Sequence, residues 1–179
     1  MGTSPKIKIS KLDAARRQLE TALRLYFSEA DPVSIHTLTS AAYQLLADIN
    51  RRNGGSPMLK EQIPKWVRPD AEEESKRRLN EAANFFKHAD RDNDDIFEFS
   101  SGPTELLLYD AVRKYRELTG EAVPVLAVFE AWFWLGPGAD LMTTPEYQKG
   151  LDQLRSAFPN STRSSFFAEA LPMVSSTSI

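Results

Sequence analysis

Apolar side chains recur at steps of three and four residues along most of the chain, which is the spacing of one face of an α-helix. The first such run follows Ser10, a residue suited to capping, and predicts a helix over about Lys11 to Phe27. The second follows Asp31-Pro32, where the carboxylate can cap and proline suits the first helical position. Asn53-Gly54-Gly55 then supplies residues that end a helix.

The same pattern predicts further helices down the chain. Between the fourth and fifth of them, Ile96 to Phe99 alternates too briefly to require more than a minor β element. The further helices are a short one between Ser56 and Pro69, then Asp70 to about Ala89, Pro103 to Gly120, Val123 to Leu135, and Thr144 to about Phe158. We therefore predict an all-α fold, a single helical bundle of about five to seven helices.

The chain divides into three parts by composition. Residues 1–9 are predicted to be a flexible amino terminus, and residues 10–158 the helical bundle domain. Residues 159–179 are rich in Ser and Thr but contain Phe166-Phe167, which predicts either a short docked helix or a loose tail. At 179 residues the chain is long enough to bury a core as one domain.

Composition and charge exclude several classes of protein. The chain is 41% hydrophobic and 26% charged, with a net charge of −3, so it is not of disordered type and carries no overall basic signal for nucleic acid. It has no cysteine, which excludes disulfides, thiolate zinc sites and a cysteine nucleophile within it. We expect no cofactor and no structural metal.

The apolar stretches are too short for a membrane protein. Residues 1–9 lack the apolar core of a signal peptide, and Val123 to Leu135 is too short to span a bilayer. We expect a cytoplasmic protein that does not enter a membrane.

The predicted fourth helix carries a polar stripe. Arg77, Glu81, Asn84 and His88 follow one another at steps of four, three and four residues, opposite a face that includes Leu79. This stripe has two readings that the sequence leaves open. It is either an ordinary solvated face or part of a groove or homodimer interface.

The second helix carries the other histidine, His36, on a face that also includes Ser40 and Tyr43. Because Leu38 marks a second apolar face, this helix is expected to be buried on two sides. One reading is a core histidine with a hydroxyl or carbonyl partner. The sharper hypothesis is that His36 and Tyr43 meet Asn84 and His88 across two helices, forming a cluster that binds a polar ligand or performs acid–base chemistry.

An acidic segment resembles part of a calcium loop. Asp90, Asp92 and Asp94 match the first three ligand positions of an EF-hand. Asp95 stands where the loop needs glycine, and Ser101 where it needs the bidentate glutamate. The segment is therefore better interpreted as a solvated acidic turn.

A site with two histidines and one carboxylate is a further metal hypothesis. It would combine His36 and His88 with Glu81 or Asp90. No His-Glu-x-x-His or paired Glu-x-x-His motif accompanies them, and the chain has no phosphate loop, no dinucleotide glycine fingerprint and no Gly-x-Ser-x-Gly elbow.

The helix from Val123 to Leu135 has aromatic groups on more than one face. A monomer has difficulty burying such a surface, and interfaces favour aromatic anchors. We therefore predict that this helix contributes to an oligomer or partner interface through four side chains: Phe129, Trp132, Phe133 and Trp134.

Two segments carry a resemblance to known proteins. In "DPVSIHTLTSAAYQLLADIN" and "NFFKHADRD" the chain resembles a group of small bacterial proteins over about Lys11 to Leu135. No activity is assigned to that group, so the resemblance implies none.

A more distant resemblance is to the HEPN domains, all-helical proteins of which many are metal-independent ribonucleases at a homodimer interface. Asn84 and His88 match the polar residue and the catalytic histidine of the HEPN motif. Ala83 stands where that family has arginine, so the phosphate contact would come from another basic residue, which would be Lys87, Arg91 or Arg77.

These observations lead to three functional hypotheses. The leading one is a cytoplasmic helical module that forms a homodimer or binds a protein partner. The alternative is a HEPN-like RNA-binding protein or ribonuclease that uses His88, with Asn84 orienting it. The third is a small-ligand or metal site around His36 and His88, with Tyr43, Lys87 and Arg91 as further ligand-binding residues. Whether the protein is an enzyme stays open at this point.

Overall fold

The computed structural model describes residues 6–88, 96–139 and 145–176. Within these ranges the chain is all-α, as predicted, and forms eight helices and no strand. The eighth helix lies in the Ser- and Thr-rich tail, which is therefore a docked helix. The helices are α1 (Lys11–Phe27), α2 (Pro32–Arg52), α3 (Leu59–Trp66), α4 (Glu72–Phe85), α5 (Gly102–Thr119), α6 (Pro124–Leu135), α7 (Pro145–Ala157) and α8 (Arg163–Ser176), with a turn of 3₁₀ helix at Pro69–Ala71.

The predicted capping residues begin and end the helices. The Ser10 hydroxyl accepts a hydrogen bond from the Asp13 N–H at 3.0 Å, and the Asp31 carboxylate accepts from the Ser34 N–H at 2.8 Å. Gly120 ends α5 in the left-handed conformation, with φ of 68°, which glycine adopts without steric cost. Local sequence thus accounts for where these helices begin and end.

The core lies between α1, α2, α5 and α6. α1 packs along α2, α2 packs against α5, and α6 contacts both α1 and α5. Removing each large apolar side chain from water contributes roughly 1.5–3 kcal/mol to stability. The side chains with no exposed surface include Leu19, Leu23, Leu46, Leu108, Val112 and Phe129.

α2 is buried on two sides, as predicted. His36, Ser40, Tyr43 and Ala47 are each at most 4% exposed, and Leu38 and Leu45 on the other face are partly buried against the core. The histidine-bearing face is therefore an internal surface of the bundle.

α8 covers the aromatic helix α6. Phe166 is fully buried with its ring centroid 5.3 Å from that of Trp132, while the ring of Phe167 stacks on Phe27 at 4.5 Å. Phe129 and Phe133 have no exposed surface at all.

The predicted interface on α6 depends on the premise that a monomer cannot cover the aromatic side chains of this helix, and that premise is wrong. Trp132 and Trp134 are half-buried, Trp132 donates a hydrogen bond to the Tyr26 hydroxyl at 3.1 Å, and Phe133 stacks on Tyr109 at 4.2 Å. The monomer covers the aromatic surplus with its own α1, α5 and α8. The homodimer stays a prediction without that support.

α3 and α4 form a peripheral layer that packs less completely. They contact each other, and α4 makes only a few contacts with α2. Ala83 is the one buried residue of α4. Since this layer does not close against the core, it leaves a cleft between itself and α5. None of the helices in the described ranges is both long and apolar enough to cross a lipid bilayer.

Candidate ligand-binding site

The cleft opens between α3, α4, the first turns of α5 and the irregular segment 96–100, and has a volume of about 650 Å³. Most of the side chains that line it are apolar. Pockets that bind small molecules in proteins typically have volumes of about 300–1,000 Å³ and a mainly apolar lining. The principal apolar lining residues are Leu59, Ile63, Leu79, Phe97, Phe99 and Leu107.

His36 forms part of the buried end of this cleft. Its side chain is 4% exposed, and its Nδ1 lies 2.9 Å from the Thr104 hydroxyl. The rings of Phe86 and Phe99 approach the imidazole edge-on, at centroid distances of 5.9 and 5.2 Å. The second ring nitrogen, Nε2, is buried and has no hydrogen-bond partner among the described residues. An unpaired polar atom of this kind costs about 1–3 kcal/mol.

His36 is neutral at neutral pH. Burial, as the largest cause, together with the positive charges of Lys60 and Lys87 lowers its pKa from 6.5 to about 4. Burial also lowers the pKa of the Lys60 ammonium to about 8, with the charge of Lys87 as the second cause. Within the described part of the chain, neither lysine has a carboxylate ion-pair partner. Two positive charges therefore act on His36, and no ion pair with a described carboxylate offsets either of them.

Lys60 is held near His36 by polar and aromatic contacts. Its ammonium donates a hydrogen bond to the Asn80 side-chain oxygen at 3.3 Å and lies 5.4 Å from the centre of the Tyr43 ring. Neither contact supplies a negative charge that would offset the positive charge of the Lys60 ammonium. Lys87 is exposed near the end of α4.

Tyr43 belongs to a hydrogen-bond network that holds the start of α3, one wall of the cleft, in place. Its hydroxyl donates to the Asp110 carboxylate at 2.7 Å and accepts from the backbone N–H of Lys60 at 2.9 Å. Asp110, 1% exposed, also accepts from the Leu59 N–H at 2.8 Å and from Arg113 at 3.1 Å. Burial and the neighbouring Asp110 charge raise the pKa of Tyr43. This network attaches the start of α3 to α2 and α5.

Thr104 and Asp110 were missed by sequence reasoning although a signal existed. Both lie on α5 close to the apolar stripe that contains Leu107 and Ala111. A polar residue within such a stripe must find a partner when it is buried. The pattern did not indicate that the partners would be His36 and Tyr43.

The predicted HEPN-like pair lies on the surface. Asn84 and His88 are both exposed, and the backbone N–H of His88 donates to the Asn84 carbonyl at 3.0 Å. Arg77 pairs with Glu74 and Glu81 through contacts of 2.7 and 2.6 Å. The polar stripe of α4 therefore has the arrangement of a solvated face, while Leu79 on the opposite side lines the cleft.

The structure does not join the two histidine groups by direct contact. No hydrogen bond, ion pair or ring contact connects His36 or Tyr43 to Asn84 or His88, all four of which are described residues. Lys87 acts on His36 through its charge. Arg91, together with the aspartates of the calcium hypothesis, lies outside the described residues.

The metal hypothesis finds no geometric support. In the ranges that the structure describes, no three His, Asp or Glu side chains are grouped so that they could hold a metal ion. The set of His36, His88 and Glu81 is therefore wrong. The version with Asp90 falls outside those ranges.

Comparison with protein-family models, with curated protein sequences and with solved structures found no match. The resemblances to the bacterial group and to HEPN domains accordingly remain predictions. The chemistry of the cleft is the basis for a functional proposal.

Proposed function

We propose that the protein binds a small amphipathic molecule in the cleft, with the apolar part of the ligand against α3, α4 and α5 and a single polar group at His36. The observation that carries the proposal is the unpartnered Nε2 of a 4%-exposed histidine at the buried end of an apolar cleft. Apolar walls with few convergent polar groups are the usual composition of ligand pockets.

The energetics favour occupancy by such a ligand. Apolar area removed from water contributes about 25 cal/mol per Å², so an alkyl or aryl group that covers Leu79 and Phe97 binds by burial alone. A hydrogen bond to Nε2 also relieves the cost of the unpaired nitrogen. The two terms act at opposite ends of the ligand, and this supports an amphipathic molecule over a wholly apolar one.

The surroundings of His36 support binding rather than catalysis. A histidine that acts as a general base is usually oriented by a carboxylate and activates a nucleophile within reach. Here the partner of Nδ1 is a buried hydroxyl, that of Thr104, and no carboxylate in the described ranges contacts the ring. The low pKa also keeps the imidazole uncharged.

Titration with the uncharged dye phenylnaphthylamine, whose fluorescence rises in apolar surroundings, tests the proposal. Ala82 lines the cleft on α4, so Ala82→Phe fills it, and Glu73→Phe places the same side chain on the exposed part of that helix. Wild type and Glu73→Phe are expected to bind one dye saturably, and Ala82→Phe to lose at least about tenfold in affinity. Equal binding by a folded Ala82→Phe variant, or no saturable binding by wild type, would refute the proposal.

A module that self-associates is the second candidate, on a surface other than α6. Trp66 is 67% exposed, Ile96 is 96% exposed, and Leu106 at the edge of the cleft is 42% exposed. Val67, which follows Trp66 in the chain and is 38% exposed, lines the cleft together with Leu106, and contiguous exposed apolar residues are typical of interaction surfaces. Light-scattering mass measurements across a wide concentration range test this candidate, with Trp66→Ser expected to weaken any dimer and a constant monomer mass excluding it.

A further inference from the structure

We infer that the polar group of the ligand is a carboxylate, so that the cleft takes an amphipathic monocarboxylate whose oxygen accepts a hydrogen bond from His36 Nε2 and whose charge is compensated by Lys60 and Lys87. This inference rests on the proposed function, because it assigns the chemistry of a ligand in the same cleft.

The tautomer of His36 determines whether Nε2 donates or accepts a hydrogen bond. Only one of its ring nitrogens carries a proton when it is neutral. If the Nδ1 proton pointed at Thr104, the hydroxyl proton of that 4%-exposed threonine would have no acceptor, because Thr104 makes no other side-chain hydrogen bond within the part of the chain that the structure describes. If the hydroxyl donates to Nδ1, both groups are satisfied. The second arrangement leaves one fewer buried polar group unpaired and places the proton on Nε2.

The second step follows from that proton. An Nε2–H group without a partner is a donor, and it requires an acceptor on the ligand. This requirement excludes ammonium and guanidinium groups, which only donate. Carboxylates, carbonyls and ethers satisfy it.

The third step uses charge to choose among acceptors. Lys60 and Lys87 both act on His36, and the described part of the chain provides neither with a carboxylate. Hydrogen bonds to ionised acceptors are roughly twice as strong as neutral ones. An anionic oxygen at Nε2 therefore gains more from both lysines than a carbonyl or a hydroxyl does, because the dipole of a neutral group interacts more weakly with a positive charge than a full negative charge does.

The charges at the outer edge of the cleft agree with this orientation. Glu98 is exposed there, and Glu74 is paired with Arg77 and Arg78 at 2.7 Å each. Of the charged residues that line the cleft, Glu74 and Arg78 neutralise each other, so the remaining charge at the mouth is the negative charge of Glu98. Lys60 and Lys87 are the positive charges that act on His36. A carboxylate is favoured at His36 and its alkyl or aryl chain extends toward α4.

Access to Nε2 requires a ring to move. The atom has less than 1 Å² of exposed surface, and Phe99 is one of the two rings that flank it. Phe99 is half-buried in segment 96–100, which has neither helix nor strand structure. A turn of that ring exposes the imidazole edge without breaking a backbone ladder.

Competition for the dye tests the inference with decanoate and decanol, which share a chain length and differ in charge. Decanoate is expected to displace the dye from wild type at a concentration at least about tenfold lower than decanol. His36→Phe and Lys60→Met are expected to abolish this preference, which is the ratio of the two displacement concentrations and does not depend on the affinity of each variant for the dye. Lys65→Met, a matched control because Lys65 is exposed on the same helix α3, is expected to retain it.

Long-range ¹H–¹⁵N spectra of the wild-type imidazole supply an assay that needs no variant. They are expected to show the His36 proton on Nε2, with a shift of that resonance on addition of decanoate. A proton on Nδ1, equal displacement by decanol and decanoate, or a preference that survives His36→Phe would each overturn the inference. Absence of saturable dye binding would instead show failure of the proposed function itself.

Discussion

The Nδ1 atom of His36 lies 2.9 Å from the Thr104 hydroxyl, so that a single hydrogen bond joins the first turns of α2 and α5 inside the core. Both side chains are 4% exposed. The bond fixes the orientation of the imidazole and leaves Nε2 as the one atom of that ring able to bind a ligand. The position of the pair also makes it a component of the fold's stability.

Thr104→Val removes the hydroxyl with little change of shape. We expect the free energy of unfolding to fall by about 1–3 kcal/mol, because Nδ1 of His36 then becomes a second unpaired atom. Thr104→Ser, which keeps the hydroxyl, should lose less. Urea denaturation followed by circular dichroism measures both, and a valine variant as stable as wild type would contradict the role of this bond.

Stability should depend on pH through His36. Its pKa is about 4 in the folded protein and near its ordinary value of 6.5 in the unfolded chain, so between these values the unfolded chain binds more protons. The stabilisation is complete above pH 6.5 and is lost as the pH falls toward 4. For a difference of about 2.5 pKa units at 1.36 kcal/mol each, the loss is about 3 kcal/mol.

Denaturation midpoints measured through this pH interval check the prediction. The exposed carboxylate of Glu74, whose pKa is lowered from 4.5 to about 2 by hydrogen bonds from Arg77 and Arg78, contributes only below about pH 4.5. His36→Phe should flatten the profile between pH 6.5 and 4, and a substitution of the exposed His88 by Gln should leave it steep. An unchanged slope in His36→Phe would refute this assignment.

Asp110 should be among the most sensitive polar residues in the chain. Asp110→Ala leaves the Tyr43 hydroxyl and the Leu59 N–H without their acceptor, and we expect a loss of about 3 kcal/mol. Because the same carboxylate positions the start of α3, dye affinity should fall as well. Asp48→Ala removes an aspartate whose side chain is half exposed and paired with Arg51, and should cost less than about 1 kcal/mol.

The docked tail helix should be essential to the bundle. Phe166 is fully buried beside Trp132 and Phe158, so Phe166→Ala is expected to cost about 3–5 kcal/mol. Met173 on the same helix is 60% exposed, and Met173→Ala should change stability by less than about 0.5 kcal/mol. Thermal denaturation compares the two. A mild effect at Phe166 would mean that α8 contributes little to the core.

Local pattern was sufficient for the fold class and for most helix boundaries. The stripes of α1, α2 and α5 repeat at helical spacing, and Ser10, Asp31 and Gly120 mark ends through contacts within one turn. The packing of α8 over α6 could not be predicted from local pattern. Phe166 and Phe167 lie in a Ser- and Thr-rich segment, whose pattern is equally compatible with a loose tail.

Only part of the candidate site could be predicted from the sequence, for a related reason. His36 was identified as a candidate because histidine on a helix face is chemically distinctive. Its partner Thr104 is 68 residues away, and the partner of Tyr43, Asp110, is 67 residues away. Periodicity indicates which face of each helix is apolar, but it does not indicate which faces meet. The cleft exists because α3 and α4 pack incompletely, a tertiary property.

The most direct test of the account is a crystal structure of the protein grown with decanoate. We expect a carboxylate oxygen at about 2.7–2.9 Å from Nε2 of His36, the Phe99 ring turned aside, and the alkyl chain against Leu79 and Ile63. Saturating decanoate that leaves the cleft empty and Nε2 unpaired, or that binds with its carboxylate at the mouth beside Arg78, would contradict it.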